Sequence, residues 1–248
     1  MRKPARTQIL AFSGLDGAGK SSQTQALASA LERLGFQAAV EWAPSHALQL
    51  NFVANPVRRM LRVGKRSTAP GAVNPDLRPA ELPPVVAHAW LTLQALATTV
   101  SLWRACLPHL GRGRIVVFDR YGLDYAVFMQ YRHGAGRRFR FQTWLIRALS
   151  PRPRCAYLLD VSAETAIARK EEQYRVDELR HQSELYRKEA AAFGAARVDG
   201  ELPHDDLCEL IAQDVWRSLK NLPRALGTLG RVDWDDRRFR SSGNARTG

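Results

Sequence analysis

The chain has 248 residues, of which 45% are hydrophobic and 25% are charged. This composition is ordinary for a globular protein and excludes a wholly disordered chain, a collagen and a coiled-coil rod. The length is enough to bury a full hydrophobic core without disulfides or metals. The three cysteines, Cys106, Cys155 and Cys208, are widely spaced and follow no metal-binding pattern. We therefore expect free thiols and a reducing, cytoplasmic environment.

The net charge of +13 favours an anionic partner such as nucleic acid, anionic lipid or a phosphate-rich substrate. Arginine supplies 31 of the 37 basic residues, and a coding bias toward arginine would produce the same skew without any function. Both interpretations stay open. No nucleic-acid recognition motif is present and the charges do not alternate with aromatic residues, which argues against a nucleic-acid partner.

Two segments have some features of membrane signals. The N-terminus is basic, but its apolar run from Ile9 to Phe12 is too short for a signal peptide. The stretch from Leu82 to Trp103 carries no formal charge over 22 residues, which is long enough to span a membrane. Its prolines, threonines and histidine favour a long core helix instead, and we expect no membrane association.

Short apolar runs alternate with amphipathic segments along the chain. The predicted strands cover residues 8–13, 37–42, 115–118, 156–160 and 197–198. The predicted helices cover residues 21–34, 47–63, 85–107, 122–131, 139–149, most of 163–193, and 205–219, with a loop over 66–84. This alternation predicts an α/β fold with a five-stranded parallel sheet and helices on both faces. We expect one domain over residues 1–222 and a polar tail over 223–248.

The segment from Gly14 to Ser21 matches the pattern G-x-x-x-x-G-K-[ST] in full, between a predicted strand and a predicted helix. Glycines let backbone N–H groups point inward at phosphate oxygens, and the helix adds its positive dipole end. Lys20 would bridge the β- and γ-phosphates, and the Ser21 hydroxyl would bind Mg²⁺. The pattern predicts binding of ATP and Mg²⁺. The nucleotide-binding candidates are Gly14, Leu15, Asp16, Gly17, Ala18, Gly19, Lys20, Ser21 and Ser22.

Three segments together resemble the thymidylate kinase family. They are Phe12–Ser22, with aspartate inside the loop, Val116–Tyr121, which ends in Asp-Arg-Tyr, and Tyr157–Glu164. The resemblance covers roughly residues 7–220 and implies a three-layer P-loop fold with a small helical lid at about 169–180. It also implies ATP-dependent phosphoryl transfer to a small phosphorylated, nucleotide-like acceptor, and it leaves a homodimer open.

The resemblance also implies roles for single residues. Arg120 would bind the acceptor phosphate, and Asp119 would hold Arg120 or order the water shell of a Mg²⁺ bound by Ser21. Arg169 and Arg175 would be lid arginines that close over the transferring phosphoryl group. The alternatives are a surface ion pair at the strand end and a solvated helix face. The catalytic candidates are Asp16, Lys20, Asp119, Arg120, Arg169 and Arg175. For Asp160, at another strand end, a structural role is favoured.

The acceptor side departs from the family pattern. The family's Arg-Glu-Pro-Gly-Gly segment is replaced by Glu41–Ser45, its helical Asp-Arg by Ala97 and Thr98, its glutamine by Met129, and its second lid arginine by Gln173. The donor side is intact, so ATP use is well supported and thymidylate as the acceptor is in doubt.

Glu41 carries the main alternative. It lies where related deoxynucleoside kinases have a carboxylate base, and a hydroxyl acceptor needs such a base. A kinase acting on a hydroxyl of a nucleoside or other small molecule is therefore the second hypothesis, against a capping or ion-paired glutamate. A non-catalytic nucleotide-binding protein is the third.

Overall fold

The computed structural model describes residues 6–42, 84–133, 140–170 and 175–220. The predicted helix over 47–63, nearly all of the predicted loop over 66–84 and the predicted tail over 223–248 lie outside the described residues. Gln173 and the segment from Pro44 to Ser45 lie outside them as well.

The five predicted strands form one sheet in which all neighbours are parallel, in the order β2-β3-β1-β4-β5. The strands are β1 (Gln8–Gly14), β2 (Ala38–Trp42), β3 (Ile115–Asp119), β4 (Cys155–Asp160) and β5 (Ala195–Asp199). The predicted parallel α/β architecture is therefore confirmed. β5 is longer than predicted, because Ala195 and Ala196 pair with β4 although alanine carries little strand preference.

The described helices follow the predicted order. They are α1 (Lys20–Arg33), α2 (Pro84–Cys106), α3 (Gly122–His133), α4 (Arg140–Leu149), α5 (Ala163–Ala168), α6 (Val176–Ala190) and α7 (His204–Leu219). In the predicted helical stretch over 163–193, α5 ends at Ala168 and α6 begins at Val176, and a short 3-10 turn follows at Ala191–Phe193. The predicted lid at 169–180 includes residues 171–174, which lie outside the described residues, and the first turns of α6.

The strand β1 shows how both faces of the sheet are covered. Leu10 and Phe12 pack in one cluster with Leu27 of α1, while Ile9 and Ala11 pack in another with Leu102 of α2. Successive side chains of a strand point to opposite faces, so helices on both sides bury a continuous apolar run. Since β1 and β3 are neighbours, their carboxyl ends bring the loop after Gly14 close to Asp119.

The helix α2 is only partly a core helix. Together with the turn that follows it, over Val85–His109, it is long and apolar enough to cross a membrane by length and composition alone, a test that core helices also pass. Only 33% of its most apolar stretch is buried. One side packs inward, and the other exposes a row of large apolar side chains, which we call the α2 apolar stripe. The stripe consists of Leu93, Leu96, Val100 and Trp103.

Candidate active site

The loop between β1 and α1 is pressed against its neighbours at two glycines. A Cβ on Gly17 would lie 2.2 Å from the carbonyl oxygen of Ala166, and one on Gly14 would lie 2.6 Å from that of Leu159. The φ of Gly17 is +87°, in the left-handed region that favours glycine. Both positions therefore require glycine, for space and, at Gly17, for backbone conformation.

Lys20 lies inside the loop. Its Nζ donates hydrogen bonds to the carbonyl oxygens of Gly14, at 2.8 Å, and Leu15, at 2.6 Å, and the residue is buried. Burial lowers the pKa of this ammonium group and nearby Lys170 lowers it further, whereas the carboxylates of Asp124 and Asp119 act in the opposite direction. The ammonium group is therefore held inside the loop by two of the loop's own carbonyl oxygens.

Three cations surround the carboxylate of Asp16. Arg120 Nη2 donates a hydrogen bond to Oδ1, Lys20 Nζ lies 4.0 Å from the same oxygen, and Lys170 Nζ lies 3.9 Å from Oδ2. The sequence placed Asp16, Lys20 and Arg120 at one site, and the structure brings them into contact. Lys170 was missed as a site residue. Its position directly after the candidate Arg169, at the end of a short helix, was the available signal.

Ser21 and Asp119 form the predicted metal-binding pair. The Ser21 hydroxyl donates a hydrogen bond to Asp119 Oδ2 at 2.5 Å. Asp119 Oδ1 is buried and has no hydrogen-bond partner among the described residues. An unpaired carboxylate oxygen beside a hydroxyl is an oxygen donor set of the kind Mg²⁺ prefers, so the residues fit this ion.

No group of three or more His, Cys, Asp or Glu side chains suited to a metal occurs in the described part of the chain. In proteins, Mg²⁺ usually keeps several of its waters and is bound by one or two carboxylates together with substrate phosphates.

Arg120 reaches the loop through an unusual backbone conformation. Its φ is +73°, and it is the one non-glycine residue with positive φ in the described part of the chain. Its backbone N–H donates to the carbonyl of Phe12 at 3.0 Å, which anchors the turn to β1. A residue other than glycine in the left-handed region costs about 1–3 kcal/mol, and such strain concentrates at functional sites.

Asp124, in the first turn of α3, joins the loop to the Asp-Arg-Tyr segment. It is 2% exposed and accepts hydrogen bonds from the backbone of Gly14 and Tyr121 and from the Tyr186 hydroxyl. Its Oδ1 also lies 3.9 Å from Nη1 of Arg120. Sequence reasoning missed this residue. An acidic side chain at a helix start is common enough to pass for an ordinary cap.

The candidate lid arginine Arg169 directly follows α5, and Arg175 directly precedes α6. Arg169 donates a hydrogen bond to the carbonyl oxygen of Gly200 at 2.9 Å. Arg175 occupies the N-cap position of α6 without a side-chain capping hydrogen bond, and its charge opposes the rise that burial causes in the pKa of Tyr131. Their contact with a transferring phosphoryl group stays a prediction.

Two other carboxylates are held by basic side chains. Asp160 accepts from Arg187 Nε at 3.0 Å and from Arg197 Nη2 at 2.6 Å, which agrees with a structural role. Glu41 Oε1 lies 2.8 Å from Nε2 of His109, which is itself buried. This contact favours the ion-paired or hydrogen-bonded glutamate over the general base.

Neutral side chains occupy the helical positions where the chain departs from the family pattern, at Ala97 and Thr98 of α2 and Met129 of α3. The Tyr125 hydroxyl of α3 donates to Gln94 Oε1 of α2 at 3.1 Å, and the Thr98 hydroxyl donates to the backbone oxygen of Gln94 at 3.0 Å. Met129 is buried in the cluster between α2 and α4. We use the name α2–α3 wall for the contact between α2 and α3 that Gln94, Thr98 and Tyr125 form. None of the three carries a charge.

Sequence comparison points to one family. The chain is 25% identical over 228 residues to the thymidylate kinase of Nostoc punctiforme (strain ATCC 29133 / PCC 73102), with 87% of this chain and 99% of that protein covered. It is 26% identical over 185 residues to a probable thymidylate kinase of Pyrococcus abyssi (strain GE5 / Orsay), with 74% and 79% covered. No family model matches the chain. The chain is therefore distantly similar to thymidylate kinases over most of its length.

Proposed function

We propose that this protein is a P-loop kinase that transfers a phosphoryl group from ATP to a nucleoside monophosphate. The observation that carries the proposal is the meeting of Lys20, Lys170 and Arg120 around Asp16. Three cations beside a glycine-rich loop suit a reaction in which negative charge must be held and neutralised. The distant similarity to thymidylate kinases supports the same reaction class.

The residues act mainly by positioning and by charge neutralisation, because phosphoryl transfer asks little covalent chemistry of the protein. The loop amides and Lys20 hold the donor phosphates, and the Arg120 guanidinium holds the acceptor phosphate through paired N–H bonds. Ser21 and Asp119 would hold a Mg²⁺ ion, which when bound would neutralise charge on the phosphate oxygens. Arg169 and Arg175 are proposed to approach the same oxygens from the lid.

A hydroxyl acceptor is the second candidate, and it is favoured by the uncharged residues Thr98 and Met129 at positions where the resemblance to thymidylate kinases leads us to expect acceptor contacts. A nucleoside or other neutral acceptor would need no further cation there. The contact between Glu41 and His109 weighs against it, because the glutamate is then committed to a histidine rather than free to take a proton. A phosphate acceptor is already an anionic nucleophile and needs no base.

A panel of phosphoryl-transfer assays tests the proposal. The purified chain is incubated with Mg·ATP and, separately, with nucleoside monophosphates, nucleosides and sugars, and ADP release is followed. We expect turnover with at least one nucleoside monophosphate. Turnover with thymidylate should be slower than with that preferred acceptor. Protein carrying Lys20→Met, purified identically, measures contaminating kinases. Turnover confined to nucleosides would support the second candidate, and none with any acceptor would support a non-catalytic protein.

The α2 apolar stripe supports the proposal of a homodimer. Its four side chains are 38–52% exposed, and contiguous apolar surface of this kind is typical of protein interfaces. Light scattering coupled to gel filtration should give a dimer for the native chain and a monomer for Val100→Glu. A monomeric native chain would contradict the proposal.

The free cysteines are compatible with a cytoplasmic protein.

A further inference from the structure

A second concave site adjoins the phosphate loop without including it, since Ser13 and Tyr121 line it and are the sequence neighbours of Gly14 and Arg120. A cavity of about 480 Å³, partly open to solvent, lies between the start of α3, the end of α4 and the turn before β5, and we call it the α4 cavity. Ala11 and Ser13 of β1 and Ala156 of β4 form part of its wall. Residues 14–22 of the loop are not among its lining residues. Its volume is within the range of small-molecule sites.

The charges on the wall of the α4 cavity are all positive. Arg147, Arg152 and Arg154 line it, and no Asp or Glu occurs among the described residues that do so. Arg154 is engaged by Ser218, at 3.0 Å from Nε to Oγ, whereas Arg147 and Arg152 are exposed at the rim. Guanidinium groups bind phosphate and carboxylate through paired N–H bonds, so this wall selects an anion.

The remaining wall combines aromatic surface with a buried polar atom. Trp144 and Phe193 line the cavity. Ser150 lines it too, is 8% exposed, and its Oγ has no hydrogen-bond partner among the described residues. A Cβ on Gly122 would lie 3.9 Å from that Oγ and 3.0 Å from Ile146 Cγ2, so the glycine keeps the space beside Ser150 open. Buried polar atoms are normally paired, and a ligand would supply the missing partner.

We propose that the α4 cavity is a binding site for a small planar anion, an aromatic ring that carries a phosphate group. The ring packs on Trp144 and Phe193, the phosphate pairs with Arg147 and Arg152, and Ser150 Oγ contacts a polar atom of the ring. The site does not include residues 14–22 of the loop, so it can be filled while a nucleotide occupies the loop.

Isothermal titration with 1-naphthyl phosphate tests the proposal on the full chain. Saturating Mg²⁺ and a non-hydrolysable ATP analogue are present throughout to occupy the phosphate loop. We expect 1-naphthyl phosphate to bind, with 1-naphthol and inorganic phosphate each at least about tenfold weaker, since each lacks one of the two contacts. No binding at millimolar concentration, or inorganic phosphate binding as tightly as the ester, would overturn the proposal.

Matched variants decide whether the binding occurs in this cavity. The pair Arg147→Gln with Arg152→Gln should weaken binding about tenfold or more. The control pair Arg33→Gln with Arg104→Gln removes the same charge from exposed positions outside the cavity wall and should change it less than twofold. Equal weakening in both pairs would show a nonspecific charge effect and overturn the proposal.

A second comparison does not depend on removing arginines. Ala148 is exposed on the wall of the α4 cavity, so Ala148→Glu and Ala148→Gln differ mainly by one charge. The glutamate should weaken binding several-fold relative to the glutamine. Equal affinities would place the ligand elsewhere. All readouts are binding constants, so they are independent of the proposed kinase activity.

Discussion

The phosphate-loop edge and the α2–α3 wall are built in different ways. At the loop edge, charged side chains and consecutive backbone groups converge, with Asp16 contacted by Arg120, Lys20 and Lys170. At the wall, Tyr125 and Gln94 form a neutral hydrogen bond between two helices. Donor phosphate is the same for every ATP-using kinase, whereas acceptors differ. Charged groups from three separate segments of the chain therefore converge at the loop edge, whereas the wall is an uncharged contact between two helices.

The largest expected effect comes from Lys20→Met. Removing the buried ammonium takes away a preorganised charge at the donor phosphates, and turnover should fall about 10²–10³-fold. Steady-state assays with the acceptor found in the panel measure this. Lys188→Met, on the exposed face of α6, is the control and should keep full activity. Turnover of Lys20→Met equal to that of the native chain would contradict the assignment of the loop as the donor-phosphate site.

Arg120→Ala tests whether Arg120 acts on the acceptor phosphate or on the donor phosphates. Turnover should fall about 10²-fold, while the affinity for ATP should change little, because Arg120 is assigned to the acceptor phosphate. Titration with a fluorescent ATP analogue gives the affinity, and Arg112→Ala is the exposed control. If ATP affinity collapsed while turnover at saturating ATP survived, Arg120 would belong to the donor side.

Gly17→Ala tests how much the stability of the protein depends on the close packing of the loop against Ala166. The new Cβ would overlap the carbonyl of Ala166, and the φ is +87°. Gly35→Ala is a matched control, since its φ of +84° is nearly the same but nothing lies within 4 Å of its Cβ. We expect denaturant unfolding to show Gly17→Ala as about 2 kcal/mol less stable than Gly35→Ala. Equal losses would mean that the loop shifts without cost.

Glu41→Gln tests whether the acceptor group is a phosphate or a hydroxyl. With a phosphate acceptor, no proton must leave a hydroxyl, so turnover should change only a few-fold. With a hydroxyl acceptor and Glu41 as base, it should fall about 10²–10⁴-fold. We expect the mild outcome because Glu41 contacts His109. A collapse of turnover, together with phosphorylation of a nucleoside, would favour the second candidate.

Asp160→Asn should have the smallest effect. The carboxylate is paired with Arg187 and Arg197, which are about half exposed, so solvent screens both ion pairs. We expect a loss of about 1 kcal/mol or less in denaturant unfolding and unchanged turnover. A large loss of activity with native stability would instead assign Asp160 to the site.

The features that could be predicted from the sequence are those that local chain geometry controls. Gly14 to Ser21 is one contiguous segment between a strand and a helix, so its pattern alone located the loop. Apolar runs likewise located all five strands. The predicted β5 was shorter than the observed strand because alanine gives a weak strand signal. The contacts between distant segments became visible in the three-dimensional structure alone. Glu41 meets His109 across 68 positions, and Asp124 meets Gly14 across 110. Such pairs follow from strand order and helix packing, which no local pattern encodes.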